Sequence, residues 1–257
     1  MQAKQRGTLS VNTFDSFPTD RLTHAVVGRT GGVSPPPYHS LNMSTSTGDS
    51  ITNVRENRRR AFHAVGLPPT AIATVWQVHG TRTIAVNRRP CDPSAKADAL
   101  ITATPGVALF MTFADCVPIM IYDPVQHAAG IAHAGWKGTV RGMAQTIVHE
   151  MTRIFGCRPT DLLAAIGPSI SPESYPVNRE VAEKVQRAFP AQDELLPINN
   201  GAAHFDLWTA NTHALLQCGV ESIELSGLCT AAHTEQFYSH RAEAGTTGRF
   251  GAVIALK

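Results

Sequence analysis

The sequence contains no apolar run approaching the ~20 residues that cross a bilayer. Its opening, MQAKQRGTLSVNTFDSF, holds no apolar signal core and no small-residue cleavage site, so the chain is expected in the cytoplasm, away from any membrane. No sign of charge dominates. The net charge is +2 and the isoelectric point is near 8.3. That balance gives no argument for nucleic acid as a partner. Cysteine is scarce, at five in 257 residues with no close pairing pattern. This favours reduced thiols, or one thiol with a chemical task, over a disulfide framework. No Cys-x-x-Cys or His-Glu-x-x-His element occurs, and no Gly-Lys-Ser/Thr follows the glycine-rich stretch, so there is no nucleotide P-loop.

What is present suits a folded core: 43% of residues are hydrophobic and 16% charged. No composition break, internal repeat or low-complexity linker divides the chain, so residues 1–257 are expected to form one domain. Residues 28–50, GRTGGVSPPPYHSLNMSTSTGDS, are too rich in Gly, Pro, Ser and Thr for regular structure. A long loop in a compact domain is often functional. Asn53-Val-Arg-Glu56 has a capping-box pattern and Gly66 is a natural stop, which predicts a helix over 54–65 with Arg58-Arg59-Arg60 on its solvated face. The runs 71–78, 106–112, 117–123 and 128–134 read as strands, the last three buried on both faces. Apolar residues from Val140 to Phe155 repeat at helical spacing, with Thr139 as cap and Gly156 as stop. Residues 162–170 read as a strand into a turn, 179–189 and 207–218 as helices, and VESIELSG and AVIALK as late strands. The second of those helices is capped by Asp206 and stopped by Gly219. Strands 106–112 and 117–123 are too close for a crossover helix. The expected fold is therefore α+β, with mixed or antiparallel sheets and helices outside.

Three positions stand at strand ends beside Gly or Pro: His79 in WQVHG, Cys116 in ADCVP and His133 in AHAGW. Strand ends are where a scaffold presents reactive groups. Two imidazoles and a thiolate suit a tetrahedral zinc site with one open position, where water is activated near neutral pH. The same residues also suit a buried structural cysteine with two hydrogen-bonded core histidines. They suit equally a nucleophilic Cys116 with His133 as its base. Spacing does not separate these readings.

Eight motifs, in order, resemble one family. They are GRTGGVSPPPYHSLNMSTSTGD, WQVHG, ADALIT, FADCVPIMIYDP, IAHAGWKGTVRG, IGPSISPESYPV, FDLWTANTHALLQCGV and FYSHRAEAGTTGRFGAVIAL. Their order is similar to that of the YfiH-like proteins, also called laccase-domain or polyphenol oxidase proteins and purine nucleoside phosphorylases. The resemblance covers the chain from about residue 24. It implies two mixed β-sheets packed between outer helices, in α/β/β/α layers. It implies zinc held by His79, Cys116 and His133, with copper able to take its place. It also implies phosphorolysis of adenosine, inosine, guanosine and methylthioadenosine, and deamination of adenosine. The expected partners are thus a purine nucleoside and phosphate. One motif departs from the family: Glu173 and Ser174 replace its usual cysteine pair.

Several other residues are candidates. Asp115 can orient a ligand, act as a base or close a turn. Arg241, Lys137 and Arg29 are candidates to hold phosphate. Asn42 and Gln77 can hydrogen-bond a base or ribose. His240 can support a ligand, Glu173 is a candidate proton shuttle, and Asp98 reads as structural. Cys91, Cys157, Cys218 and Cys229 also read as structural. Two other enzyme classes compete. One is an amidohydrolase, cysteine- or zinc-based, that edits peptidoglycan precursors. The other is a copper phenol oxidase, which needs paired His-x-His motifs and a blue-copper set. The 11 histidines include no His-x-His pair.

Overall fold

The computed structural model describes residues 1–87 and 92–257, so Cys91 lies outside the described residues. In chain order the first strands are β1 (Gln2–Arg6), β2 (Leu9–Thr13), β3 (Leu22–Val27), β4 (Ile72–Ala73), β5 (Thr83–Ala85), β6 (Ala99–Thr102) and β7 (Ala108–Phe113). They continue with β8 (Val117–Asp123), β9 (Ala128–Ala134), β10 (Leu163–Ile166), β11 (Ile198–Asn199), β12 (Ala202–Ala203), β13 (Ser222–Leu225) and β14 (Phe250–Leu256). The α-helices are α1 (Ile51–Ala64), α2 (Trp136–Val140), α3 (Met143–Phe155), α4 (Arg179–Ala188) and α5 (Leu207–Gln217).

Two six-stranded sheets result, ordered β1-β2-β3-β14-β7-β4 and β13-β10-β8-β9-β6-β5. Most pairs are antiparallel, but β4–β7, β10–β13 and β5–β6 are parallel, so both sheets are mixed. The period-2 alternation of the central strands sorts their side chains into layers. On β7, Leu109, Met111 and Phe113 point between the sheets, where they meet Met120, Tyr122 and Ile131 of β8 and β9. Ala108 and Phe110 point the other way onto α1, where the Phe62 ring meets Phe110 edge-on at 5.1 Å. On β8, Val117, Ile119 and Ile121 face outward onto Ile147 and Met151 of α3. The order is α/β/β/α, an α+β fold, as the resemblance implies. Burying Ile147 fully contributes about 1.5–3 kcal/mol, and Ile147→Ala would cost about 2–5 kcal/mol.

Strands β8 and β9 have the bounds expected from their apolar runs, and residues 28–50 form a loop. Other expectations need correction. Strands β7 and β8 are not neighbours: the chain changes sheets between Phe113 and Val117, so Asp115 and Cys116 sit on a corner. The strand expected over 71–78 shrinks to Ile72–Ala73: beyond it Trp76 makes only an isolated bridge with Lys96, and the N–H groups of Val78, His79 and Gly80 donate to the Asp98 carboxylate instead of a sheet partner. Helix α1 begins at Ile51 with Ser50 as its cap, leaving Asn53 inside it. Thr139 belongs to α2. Gly142, at φ 79°, separates that short helix from α3 and is its cap. Arg58 does not lie on a solvated face: its Nε donates to Met43 O at 2.8 Å. The polar strand β1, with β2, β3, β5 and β6, has no counterpart in the sequence reading. Among the described residues no helix is long and apolar enough to cross a membrane.

Candidate metal centre

His79, Cys116 and His133 come together, with their ligand atoms all within 4.8 Å of one another. Among the described residues this is the one group of three His, Cys, Asp or Glu able to hold a metal. Each residue reaches the site by a different local device. His79 ends the chain segment after β4 in a left-handed conformation, φ 58°. Cys116 follows Asp115, which is also left-handed at φ 80°, on the corner between the sheets. Non-glycine residues held in that region cost of order 1–3 kcal/mol each and persist where surrounding contacts enforce them. His133 lies near the end of β9, paired with Pro118 of β8. The rings of His79 and His133 are 4.9 Å apart at 71°.

Asp98, fully buried just before β6, organises two of the three donors. Its carboxylate accepts from the backbone N–H groups of Val78, His79 and Gly80, the shortest at 2.7 Å. It also accepts from His133 Nδ1 at 2.9 Å. A carboxylate only accepts, so Nδ1 carries a hydrogen and Nε2 is left as the nitrogen that would bind a metal in place of a proton. Burial opposes the Asp98 charge, but the hydrogen bonds from His133 and the Gly80 and Val78 N–H groups outweigh it and hold its carboxyl below the usual value. In the sequence Asp98 reads as structural; its place in ADAL, ahead of a buried strand, carries no sign of this role.

Charges inside the group support one another. Burial raises the cost of a Cys116 thiolate, yet the imidazoles of His133 and His79 pull the thiol down. Burial also disfavours a charged His133, but the Cys116 thiolate and the Asp98 hydrogen bond push it up. Gly135 leaves room for the sulfur: a Cβ there would lie 2.7 Å from Cys116 Sγ. Two imidazoles and a thiol of lowered pKa, with Nδ1 of His133 already committed to Asp98, fit a borderline-soft metal ion.

Two cavities of about 300 and 320 Å³ share His79, Ala114, Cys116 and His240. The first also takes in Ser44, Ser46, Arg58, Trp76, Gln77, His133 and Arg249. The second takes in Asp115, Trp136, Lys137, Ile170, Tyr175 and Arg241. The three-donor group thus stands where a polar cavity meets an aromatic one.

The other candidates divide. Lys137 and Arg241 line the second cavity, and the Arg241 guanidinium lies 4.8 Å from the Tyr175 ring centroid. Asp115 lines it too, but its carboxylate accepts from Thr230 Oγ1 at 2.7 Å and Arg241 N at 2.6 Å. Gln77 lines the first cavity while its amide clamps Thr112, donating to O at 2.9 Å and accepting from N at 3.0 Å. Asn42 and Arg29 line neither cavity of the cleft. Asn42 is fully buried and bonds Ser44, Thr47, Asp49 and Arg249 N. Arg29 pairs with Glu243 at 3.0 Å and donates to Thr234 O at 2.6 Å. Glu173 is exposed and lines neither cavity, although Tyr175, two residues on, lines the second. The sequence reading missed Arg58 and Arg249 as cavity residues. Only Arg58 had a signal, since Val54, Arg58 and Phe62 recur at helical spacing and the two apolar partners are buried.

The sequence pattern of the multi-copper polyphenol oxidoreductase laccase family matches residues 23–257. A Deinococcus radiodurans protein named purine nucleoside phosphorylase is 39% identical over 239 residues, covering 93% of this chain and 91% of its own. Bacillus subtilis YlmD, also named purine nucleoside phosphorylase, is 36% identical over 241 residues, covering 89% and 86%. Among solved structures, YlmD from Geobacillus stearothermophilus superposes with a TM-score of 0.92 at 32% identity, covering 99% of this chain and 98% of its own. YfiH of Bacillus licheniformis gives a TM-score of 0.87 at 36% identity, with 92% and 93% covered. With the family pattern spanning residues 23–257 and these relatives matching most of its length, the chain belongs to the multi-copper polyphenol oxidoreductase laccase family.

Proposed function

We propose that this protein is a zinc-dependent purine nucleoside phosphorylase that acts on adenosine, inosine, guanosine and methylthioadenosine, and that it also deaminates adenosine. The observation that carries the reading is the His79–Cys116–His133 group at the junction of two small cavities. The names of the similar proteins support the reaction class. Zinc suits one thiolate and two imidazoles with no carboxylate, and copper accepts the same donors. A zinc ion bound there would supply a Lewis acid beside the substrate.

The chain's own residues do the rest. Trp136, Tyr175 and Ile170 offer a purine a flat, apolar surface in the second cavity. Arg241 is pinned against Tyr175 by donating to Pro176 O at 2.8 Å, and with Lys137 it supplies polar contacts to the nucleoside. Asp115 acts as a positioning residue that holds the loop carrying His240 and Arg241. In phosphorolysis a phosphate oxygen bonds C1′ of the ribose. The C1′–N9 bond breaks with its electron pair on N9, and N9 takes up the proton that the phosphate gives up. His240 is the one titratable side chain outside the metal group that lines both cavities, and we assign it that proton transfer. Free thiols at Cys116, Cys157, Cys218 and Cys229 suit a reducing, cytoplasmic setting.

A second reading has one observation in its favour. Asp98 orients His133 beside Cys116 as in a Cys-His-Asp nucleophile set, which suits an amidohydrolase. The oxidase reading lacks a donor set of its own, since paired His-x-His motifs are missing and a single three-donor group is found among the described residues.

Products separate the readings. Purified protein is incubated with adenosine, with and without phosphate, and in parallel with a UDP-muramyl peptide carrying a wrong amino acid. Phosphate-dependent adenine and ribose 1-phosphate are expected, with inosine from adenosine, all lost in His133→Ala. Neither adenine nor inosine, or identical behaviour of His133→Ala, refutes the reading. Release of an amino acid from the muramyl substrate would establish the alternative.

A further inference from the structure

The first cavity carries two guanidinium groups that the reading above leaves without a task. Arg58 reaches it from α1, and Arg249 from the residue before β14. Both are held by backbone carbonyls. Arg58 Nε donates to Met43 O at 2.8 Å, and its guanidinium carbon lies 5.3 Å from the Phe110 ring centroid. Arg249 Nη1 donates to Thr247 O at 3.0 Å and Gly248 O at 2.7 Å. Both Nη groups of Arg58, with Nε and Nη2 of Arg249, make no hydrogen bond among the described residues.

Neither arginine has a carboxylate partner among the described residues. Arg29, Arg59, Arg60, Arg153, Arg158 and Arg179 each pair with an acid. Burial weakens the hold of both cavity arginines on their protons, taking Arg58 down to about 10. Burial disfavours both charges, and at Arg249 the Cys116, Asp115 and Glu243 charges, none in a salt bridge with it, offset this only in part, so an anion reaching both guanidinium groups is favoured. The planar fork of a guanidinium matches the paired oxygens of a phosphate or sulfate. Two hydroxyls complete the wall: Ser44 Oγ and Ser46 Oγ lie 2.9 Å apart and both residues line the same cavity.

We propose that Arg58 and Arg249, with the hydroxyls of Ser44 and Ser46, form an oxyanion subsite that binds inorganic phosphate next to the His79–Cys116–His133 group. The attacking phosphate then enters from the first cavity and the nucleoside occupies the second, so the scissile bond lies over the shared donors. Lys137 and Arg241 serve the nucleoside and do not hold the phosphate. The role of phosphate as attacking group rests on the phosphorolytic reading; the anion subsite rests on the arginines alone.

The test reads binding and reaction separately. Inorganic phosphate is titrated calorimetrically into the wild-type protein, Arg58→Met, Arg249→Met, Arg241→Met and Lys184→Met. Arg58→Met and Arg249→Met should each weaken binding on the order of ten- to a hundredfold, the loss of charge-assisted hydrogen bonds. Lys184→Met, on α4 outside both cavities, should bind as the wild type does. Should either cavity variant not fold, phenylglyoxal labelling of the wild type decides: phosphate should shield Arg58 and Arg249 from modification. Equal labelling with and without phosphate, wild-type affinity in both variants, or loss of binding in Arg241→Met alone overturns the subsite. Wild-type protein that shields both arginines yet releases no adenine keeps the subsite and refutes the phosphorolytic reaction.

Discussion

Asp98 and His133 are joined twice: the imidazole Nδ1 donates to Asp98 Oδ1 at 2.9 Å, and the His133 backbone N–H donates to Asp98 O at 2.8 Å. The same carboxylate gathers the N–H groups of Val78, His79 and Gly80. One buried acid therefore fixes both the ring of one metal donor and the backbone of another. Asp98→Asn keeps the shape but puts an amide N–H against donors. Metal affinity should fall about ten- to a hundredfold, as for other lost partners of metal-bound imidazoles. Competition against a chromogenic chelator measures it, and unchanged affinity would show that Asp98 does not position the donors.

Gly135 offers a sharper probe, because the three atoms nearest to a Cβ added there all belong to two of the donors. A Cβ would stand 2.7 Å from Cys116 Sγ and 3.3 Å from His79 Cδ2. Gly135→Ala should leave a folded protein whose sulfur is pushed out of the donor set. The cobalt-substituted variant should lose most of its thiolate charge-transfer absorption. Retention of the wild-type band would mean that the sulfur can move and still bind.

Away from the site, His24 sets an acid limit on stability. It is 4% exposed, its Nε2 accepts from Phe14 N at 2.8 Å, and burial pushes its imidazole down to about 4. Between pH 6.5 and 4 the unfolded chain binds this proton and the folded chain does not. Stability is thus fully present above about pH 6.5 and declines as pH falls toward 4, by up to about 3 kcal/mol from this residue. Urea unfolding at pH 7 and pH 4.5 measures the decline. His24→Met should flatten it while lowering stability at pH 7.

How much of this was legible in the sequence depended on whether a signal was local. Val117–Asp123 and Ala128–Ala134 are apolar throughout and buried on both faces, so their bounds could be read directly. Asp206 could be recognised as a cap because the device is local, its side chain accepting from Thr209 N three residues on. Strand β1, with all five residues exposed, owes its place to pairing with β2 and carries no apolar pattern. The change of sheets at the Asp115 corner could not be read, since link length does not reveal which sheet each strand joins. His79, Cys116 and His133 were legible as a set through the family resemblance. Asp98 was not, because its partners lie 18 to 35 residues away.

Arg29 tests the division between support and site. The sequence reading made it a phosphate candidate, but its guanidinium is committed to Glu243, Thr234 O and His39 O. Arg29→Met should lower unfolding free energy by about 1–3 kcal/mol through lost charge-assisted hydrogen bonds. The KM for phosphate should stay within about twofold, since Arg29 itself lines neither cavity. A large rise in that KM with stability intact would return Arg29 to the site.

The central claim is that His79, Cys116 and His133 hold one metal ion together, which a buried thiol beside a base does not require. His79 distinguishes the two, since it takes no part in a Cys116–His133 nucleophile pair. Elemental analysis of purified wild-type protein and His79→Ala measures it directly. The account predicts a single zinc ion per wild-type chain and its loss in His79→Ala. A metal-free wild-type enzyme that still turns over adenosine, or a His79→Ala variant with full metal content, would contradict it.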